Sequence, residues 1–160
     1  MRLVLAAVGK LKDGAERELY ARYADLILAS GRGVGLGSID LREISEGKSQ
    51  SREARLTDEA ERLLAKCGDV SLRVSMDEKG RAVTSAQFAE LVRVWRDRGE
   101  GGVAFLVGGP DGHGEPVRRA ATVSLSLGPL TLPHGLARIV LAEQLYRTAT
   151  ILAGHPYHRA

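Results

Sequence analysis

At 160 residues, with 44% hydrophobic and 27% charged residues, the chain has the size of one domain and a globular composition, which excludes disordered and fibrous classes. Lys plus Arg number 23 against 20 for Asp plus Glu, a net +3 that admits an acidic partner such as RNA without demanding one. Cys67 is the only cysteine, which excludes an internal disulfide and a cysteine-based zinc cluster and reads as a buried, inert thiol.

Arg2 to Val8 is aliphatic and ends at Gly9, and the charged, periodic "AERELYARYADLILAS" follows Gly14 and closes at Gly31. That is strand, turn and amphipathic helix, with Leu19, Tyr23, Leu26 and Ile27 on one face. The opening apolar run is too short for a signal sequence, and nowhere do about 18 apolar residues run together. A cytosolic protein is expected, with no membrane partner.

"GRGVGLG" breaks regular structure without matching G-x-G-x-x-G, because Leu36 and Ser38 occupy the wrong places. "SIDLREI" alternates as a second strand. The polar "ISEGKSQSREAR" reads as a solvated loop whose Lys48 and Arg52 can touch a polyanion, and it leads into a helix ending near Ala65. "DVSLRVSM" is the third strand, "DEKG" a turn, "TSAQFAELVRVWRDRG" a helix capped by Thr84 or Ser85, and "GVAFLV" the fourth strand. "GEPVRRAAT" is a short helix and "VSLSLGPL" holds a fifth strand. The last helix starts near Leu132 and runs to about Ala153, with Thr131 as its cap, Pro133 in its first turn and Gly154 and Pro156 as its stop. Helices alternating with strands predict an α/β domain over 1–160: a mainly parallel sheet covered on both faces, with ligands beyond the strands' carboxyl ends.

Chemistry concentrates in "GGPDGHG", residues 108–114, directly after the fourth strand. A dinucleotide fingerprint fails: from Gly112 and Gly114 the third glycine falls on Val117, and from Gly109 the second falls on Asp111. A Walker A loop fails because Glu115 stands where lysine is needed. Spacing leaves two readings open, a tight turn and a loop whose backbone meets a phosphate-free nucleoside. All four histidines lie here or around the last helix: His113, His134, His155 and His158. His155 and His158 lack the neighbours of a metal site, and "VSLSL" is no nucleophile elbow, so neither a metal centre nor a serine hydrolase is expected.

"FLVGGPDG", "SLSLGPLTLPHGLARIVLAEQLYR" and the closing "HPYHR", with "AVGKLK" and "DEKG", together resemble the ribosomal large subunit methyltransferase H family over essentially the whole chain. That family is of the SPOUT class of trefoil-knotted RNA methyltransferases. The resemblance implies a C-terminal trefoil knot, a homodimer with cofactor pockets near the subunit interface, and no DNA partner. It implies methylation of N3 of a pseudouridine in 23S ribosomal RNA with S-adenosylmethionine. By motif, Met76, Gly108 and the run Gly128, Pro129, Leu130, Thr131, Leu132 and Pro133 would hold the cofactor. Tyr157, His158 and Arg159 would form the substrate side, and a histidine or a tyrosine of lowered pKa would take the N3 proton. A loop bearing Asp111 and no Lys or Arg suits a sulfonium cation. The alternatives are a SPOUT enzyme acting on another RNA, such as transfer RNA, and a non-enzymatic ribosome-associated RNA-binding protein.

Overall fold

The structure, a computed structural model, describes residues 1–158, the side chain of His158 excepted. Five strands alternate with five helices: β1 (Arg2–Val8), α1 (Ala15–Gly31), β2 (Ile39–Ile44), α2 (Arg52–Lys66), β3 (Leu72–Ala82), α3 (Ser85–Asp97), β4 (Gly102–Val107), α4 (Glu115–Ala120), β5 (Val123–Ser126) and α5 (His134–Leu152). The strands form one sheet in the order β2-β1-β4-β3-β5, and each pairing is parallel. All carboxyl ends therefore share one edge.

The neighbouring inner strands β1 and β4 are buried on both sides, so their sequences are apolar at consecutive positions rather than alternating with polar ones. Their side chains still divide by parity. Leu3, Leu5, Ala7, Val103 and Phe105 face α1, α3 and α5, meeting Ile27, Val92, Trp95 and Leu145. Val4, Ala6, Val8, Ala104 and Leu106 face α2 and α4, meeting Ala60, Leu63 and Val117. Cys67 lies in this second core, where burial raises its thiol pKa and keeps it inert.

Three local expectations change. "DEKG" does not terminate the third strand: β3 continues to Ala82, with Asp77–Gly80 bulged between Met76 and Arg81, which both register with Leu125. Gly80 is required there, since a Cβ would come within 2.6 Å of the Leu125 backbone. On α1 the inward face is centred on Tyr20 and Ile27, and Leu19 is 40% exposed. At α5, Pro133 occupies the capping position with no side-chain cap, so Thr131 is free of that task and the helix starts at His134. The α3 cap, by contrast, is Thr84, in a reciprocal capping box with Gln87. No helix among the described residues is long and apolar enough to cross a membrane.

Candidate cofactor and substrate site

Beyond the carboxyl ends of β3, β4 and β5 the chain forms a half-open cavity of about 650 Å³, a size suited to a small cofactor. It gathers residues far apart in sequence: Met76 from β3, Gly108 just after β4, and Gly128 with Leu130, Thr131, Leu132 and Pro133 from the β5–α5 loop. Pro129 alone of the expected cofactor residues does not line it. The β5–α5 loop is shaped locally, because the Ser126 hydroxyl donates to the Gly128 carbonyl and accepts from the Gly128 N–H, both at 3.1 Å.

The glycine loop is both things its spacing allowed. Gly109 and Gly112 form a bridge closed by a 3.0 Å hydrogen bond from Gly112 N–H to Gly109 C=O, with Gly112 at φ +81°. It is a tight turn, and it is also a wall of the cavity. Gly108 lies so close to the returning chain that a Cβ would fall 2.6 Å from the Gly112 oxygen.

His113, to which sequence reasoning assigns no role, is 2% exposed. Its Nε2 lies 3.1 Å from both the Met76 and Leu106 carbonyls. Carbonyls only accept, so Nε2 carries the hydrogen and the ring ties the ends of β3 and β4 beneath the cavity. Nδ1 is buried and without a partner among the described residues, and burial depresses the pKa below the usual histidine range. The ring is therefore neutral.

The electrostatic expectation is corrected. Asp111 does not stand free beside the cavity: Arg55 Nη2 reaches Oδ2 at 2.8 Å and Arg52 Nε reaches Oδ1 at 3.3 Å. The hydrogen bonds from Arg55 and then Arg52 hold its carboxyl below the usual carboxylate range. Nor is the cavity without basic groups, since Arg52, Lys79 and Arg118 reach it from neighbouring elements alongside Asp77 and Glu78. The loop's own composition did not reveal this. A mouth of mixed charge suits a zwitterionic group better than a polyphosphate.

α5 contributes at both ends. His134 and Ala137 line the cavity, and a Cβ on Gly9 would come within 3.3 Å of His134 Nε2, which places that imidazole against the end of β1. Next to it Arg138, fully buried, donates to Glu43 Oε1 at 2.7 Å and to the Val8 carbonyl. At the far end the tail folds back onto the helix. The Tyr157 ring lies 4.5 Å from that of Tyr146 and beneath the Arg147 guanidinium, and its hydroxyl donates to Glu143 Oε1 at 3.3 Å.

Tyr157 does not line its own chain's cavity. Glu143 is six residues beyond Ala137, roughly 9 Å along the helix axis. Partial desolvation against α5, followed by the charge of Glu143, pushes the Tyr157 hydroxyl up to about 12, the opposite of a tyrosine poised to take a proton. Glu143 and Arg147, an i, i+4 ion pair on α5, are thus the seat of the tail. The His158 side chain and Arg159 lie outside the described residues. Among the described residues no three of His, Cys, Asp and Glu group to hold a metal ion.

A solved structure, that of a probable methylase family protein from Haemophilus influenzae Rd KW20, shares the fold with a TM-score of 0.52 at 13% identity, over 99% of this chain and 70% of that one. The family described as predicted SPOUT methyltransferase matches residues 1–158. Proteins named ribosomal RNA large subunit methyltransferase H are 47% identical over all of this chain and all of the relative in Xanthobacter autotrophicus, and 48% identical over 99% and 98% in Methylobacterium sp. strain 4-46. A third relative so named, from Bradyrhizobium sp. strain ORS 278, is 44% identical over 100% of this chain and 99% of that one. The chain belongs to the SPOUT methyltransferase family, among the ribosomal RNA large subunit methyltransferase H proteins.

Proposed function

We propose that the protein methylates N3 of a pseudouridine in the 23S RNA of the large ribosomal subunit, using S-adenosylmethionine. The observation that carries this reading is the cavity itself. Three segments that the resemblance assigns to the cofactor, at Met76, Gly108 and 128–133, converge on one space of about 650 Å³, and the relatives that match over the full chain are named for that class of reaction.

The residues fit the cofactor. The close approach at Gly108 leaves backbone rather than side chain facing the cavity, and the mixed charges at its mouth suit an amino-acid group. When bound, S-adenosylmethionine supplies a methyl group already activated by its sulfonium. The work left to the chain is positioning the acceptor nitrogen and handling its proton. Met76, Gly108 and the 128–133 loop hold the cofactor, with His113 fixing the strand ends beneath it.

Tyr157, His158 and Arg159 form the substrate side in this reading, delivered by a second copy of the chain. Tyr157 is seated on Glu143, more than one turn of α5 beyond Ala137 at its own cavity, while Leu19 and Leu136 stand 40% and 42% exposed on the packed helices α1 and α5. These apolar positions favour a homodimer that brings each tail to the other subunit's cavity. Tyr157, protonated at neutral pH, orients the uracil ring rather than accepting its proton, and Arg159 stabilises the base anion or contacts RNA. The trefoil knot belongs to the same reading, with the segment after β5 threaded so that its loop is held at the cavity. Labelled methyl transfer to large subunits tests the reaction, and light scattering tests the dimer.

A further inference from the structure

Three side chains of α2, at positions 52, 55 and 59, share one helix face and touch two different strand-end loops. One is the 45–51 loop that follows β2; the other is the glycine loop that follows β4. Arg55 joins them. Its Nη1 donates to the carbonyls of Ser49 and Gln50 at 3.0 and 3.2 Å, and its Nη2 donates to Asp111 Oδ2 at 2.8 Å.

Glu59, 6% exposed, repeats the arrangement one turn further along. Its Oε1 accepts from Gly47 N–H at 2.7 Å, and its Oε2 lies 3.5 Å from where a Cβ on Gly109 would stand. The 45–51 loop also presses on the helix, since a Cβ on Gly47 would come within 3.3 Å of both Arg55 and Glu59. The planar guanidinium fork satisfies carbonyls on one loop and a carboxylate on the other at the same time, which a lysine ammonium at that site would not reproduce.

We infer that Arg55, acting through Asp111, is a positioning residue that locks the polar 45–51 loop to the wall of the cofactor cavity, so that cofactor binding orders this loop. The inference rests on the reading of the glycine loop as a cofactor wall. A ligand that holds the loop still favours the arrangement in which Asp111 meets Arg55, and by linkage the same contacts favour ligand binding. The loop ordered in this way carries Lys48, and Arg52 beside it remains largely exposed at the cavity mouth.

The test pairs calorimetry with amide hydrogen exchange, using S-adenosylhomocysteine as the probe on the full chain. Wild-type protein is expected to bind the probe and to show slower exchange across residues 45–51, Gly47 included, when it is present. Arg55→Met and Asp111→Asn should each weaken binding about tenfold, and the double variant should be no weaker than either single one. Both singles should lose the probe-dependent protection of 45–51, and Arg55→Lys should not restore it. Asp111→Asn, nearly isosteric, keeps the test open if Arg55→Met fails to fold. Binding by wild type without slower exchange at 45–51 overturns the coupling alone, as do additive losses in the double variant. Absence of any probe binding by folded wild type overturns the cofactor reading and the coupling together.

Discussion

Arg138 of α5 and Glu43 of β2 are 95 residues apart in sequence and 2.7 Å apart in the structure. The arginine is fully buried, desolvation lowers its pKa, and its charge is matched by a carboxylate that also accepts from Leu11 N–H at 2.7 Å. This cluster fastens the start of α5, and with it the end of the 128–133 loop, to the ends of β1 and β2.

Arg138→Met should lower unfolding free energy in urea by about 3–5 kcal/mol, because it leaves Glu43 without its counter-charge. Adding Glu43→Gln should cost much less than its single-variant effect, since the two groups act as one unit. A loss for Arg138→Met below about 1 kcal/mol would show that the pair does not hold α5.

His113 gives the site a pH dependence whose sign follows from its burial. Its folded-state pKa is depressed, so between that value and the unfolded value of about 6.5 the unfolded chain binds more protons. The stability contribution is therefore complete above about pH 6.5 and is lost as pH falls through the folded pKa. Melting temperatures of wild type should drop on acidification more steeply than those of His113→Gln. Parallel curves for the two proteins would sink the assignment of a neutral, buried ring.

Gly108→Ala would force a methyl group against the Gly112 oxygen and carbonyl carbon, backbone atoms that no side-chain rotation can move aside. Relief requires opening the turn. The expected result is a stability loss of about 1–3 kcal/mol and a loss of cofactor affinity of at least about tenfold. Wild-type affinity by calorimetry would remove this loop from the cofactor site.

Tyr157→Phe removes one partly exposed hydroxyl from Glu143 while keeping the stacking on Tyr146. The unfolding midpoint should move little, by less than about 1 kcal/mol, while methyl transfer falls by about 10- to 100-fold if the phenol orients the acceptor. Full transfer by Tyr157→Phe and by Arg159→Ala, measured separately, would take the tail out of catalysis.

Much of the fold was legible because parallel strands announce themselves. The consecutive apolar residues of β1 and β4, and the helix that follows each strand, required a covered parallel sheet. The extension of β3 past Gly80 was not legible, because what continues the strand is pairing of Arg81 and Ala82 with β5, a partner 44 residues away that leaves no local mark. The residues expected at the cofactor came from motifs, and all of them but Pro129 line one cavity. Charge was where local reading failed. Asp111 looked available because its partners, Arg52 and Arg55, come from α2, over fifty residues earlier in the chain. His113 looked idle for the same reason: its two carbonyl partners belong to β3 and β4, and nothing in "GGPDGHG" points to them.

The most direct measurement is methyl transfer from labelled S-adenosylmethionine to intact ribosomes, free 23S RNA and transfer RNA in parallel, with the modified nucleoside identified by mass. Label confined to 23S RNA, in the large subunit or as free RNA, and recovered as N3-methylpseudouridine, is the predicted result. Label on transfer RNA alone, or none on any substrate while the cofactor binds, would contradict the account.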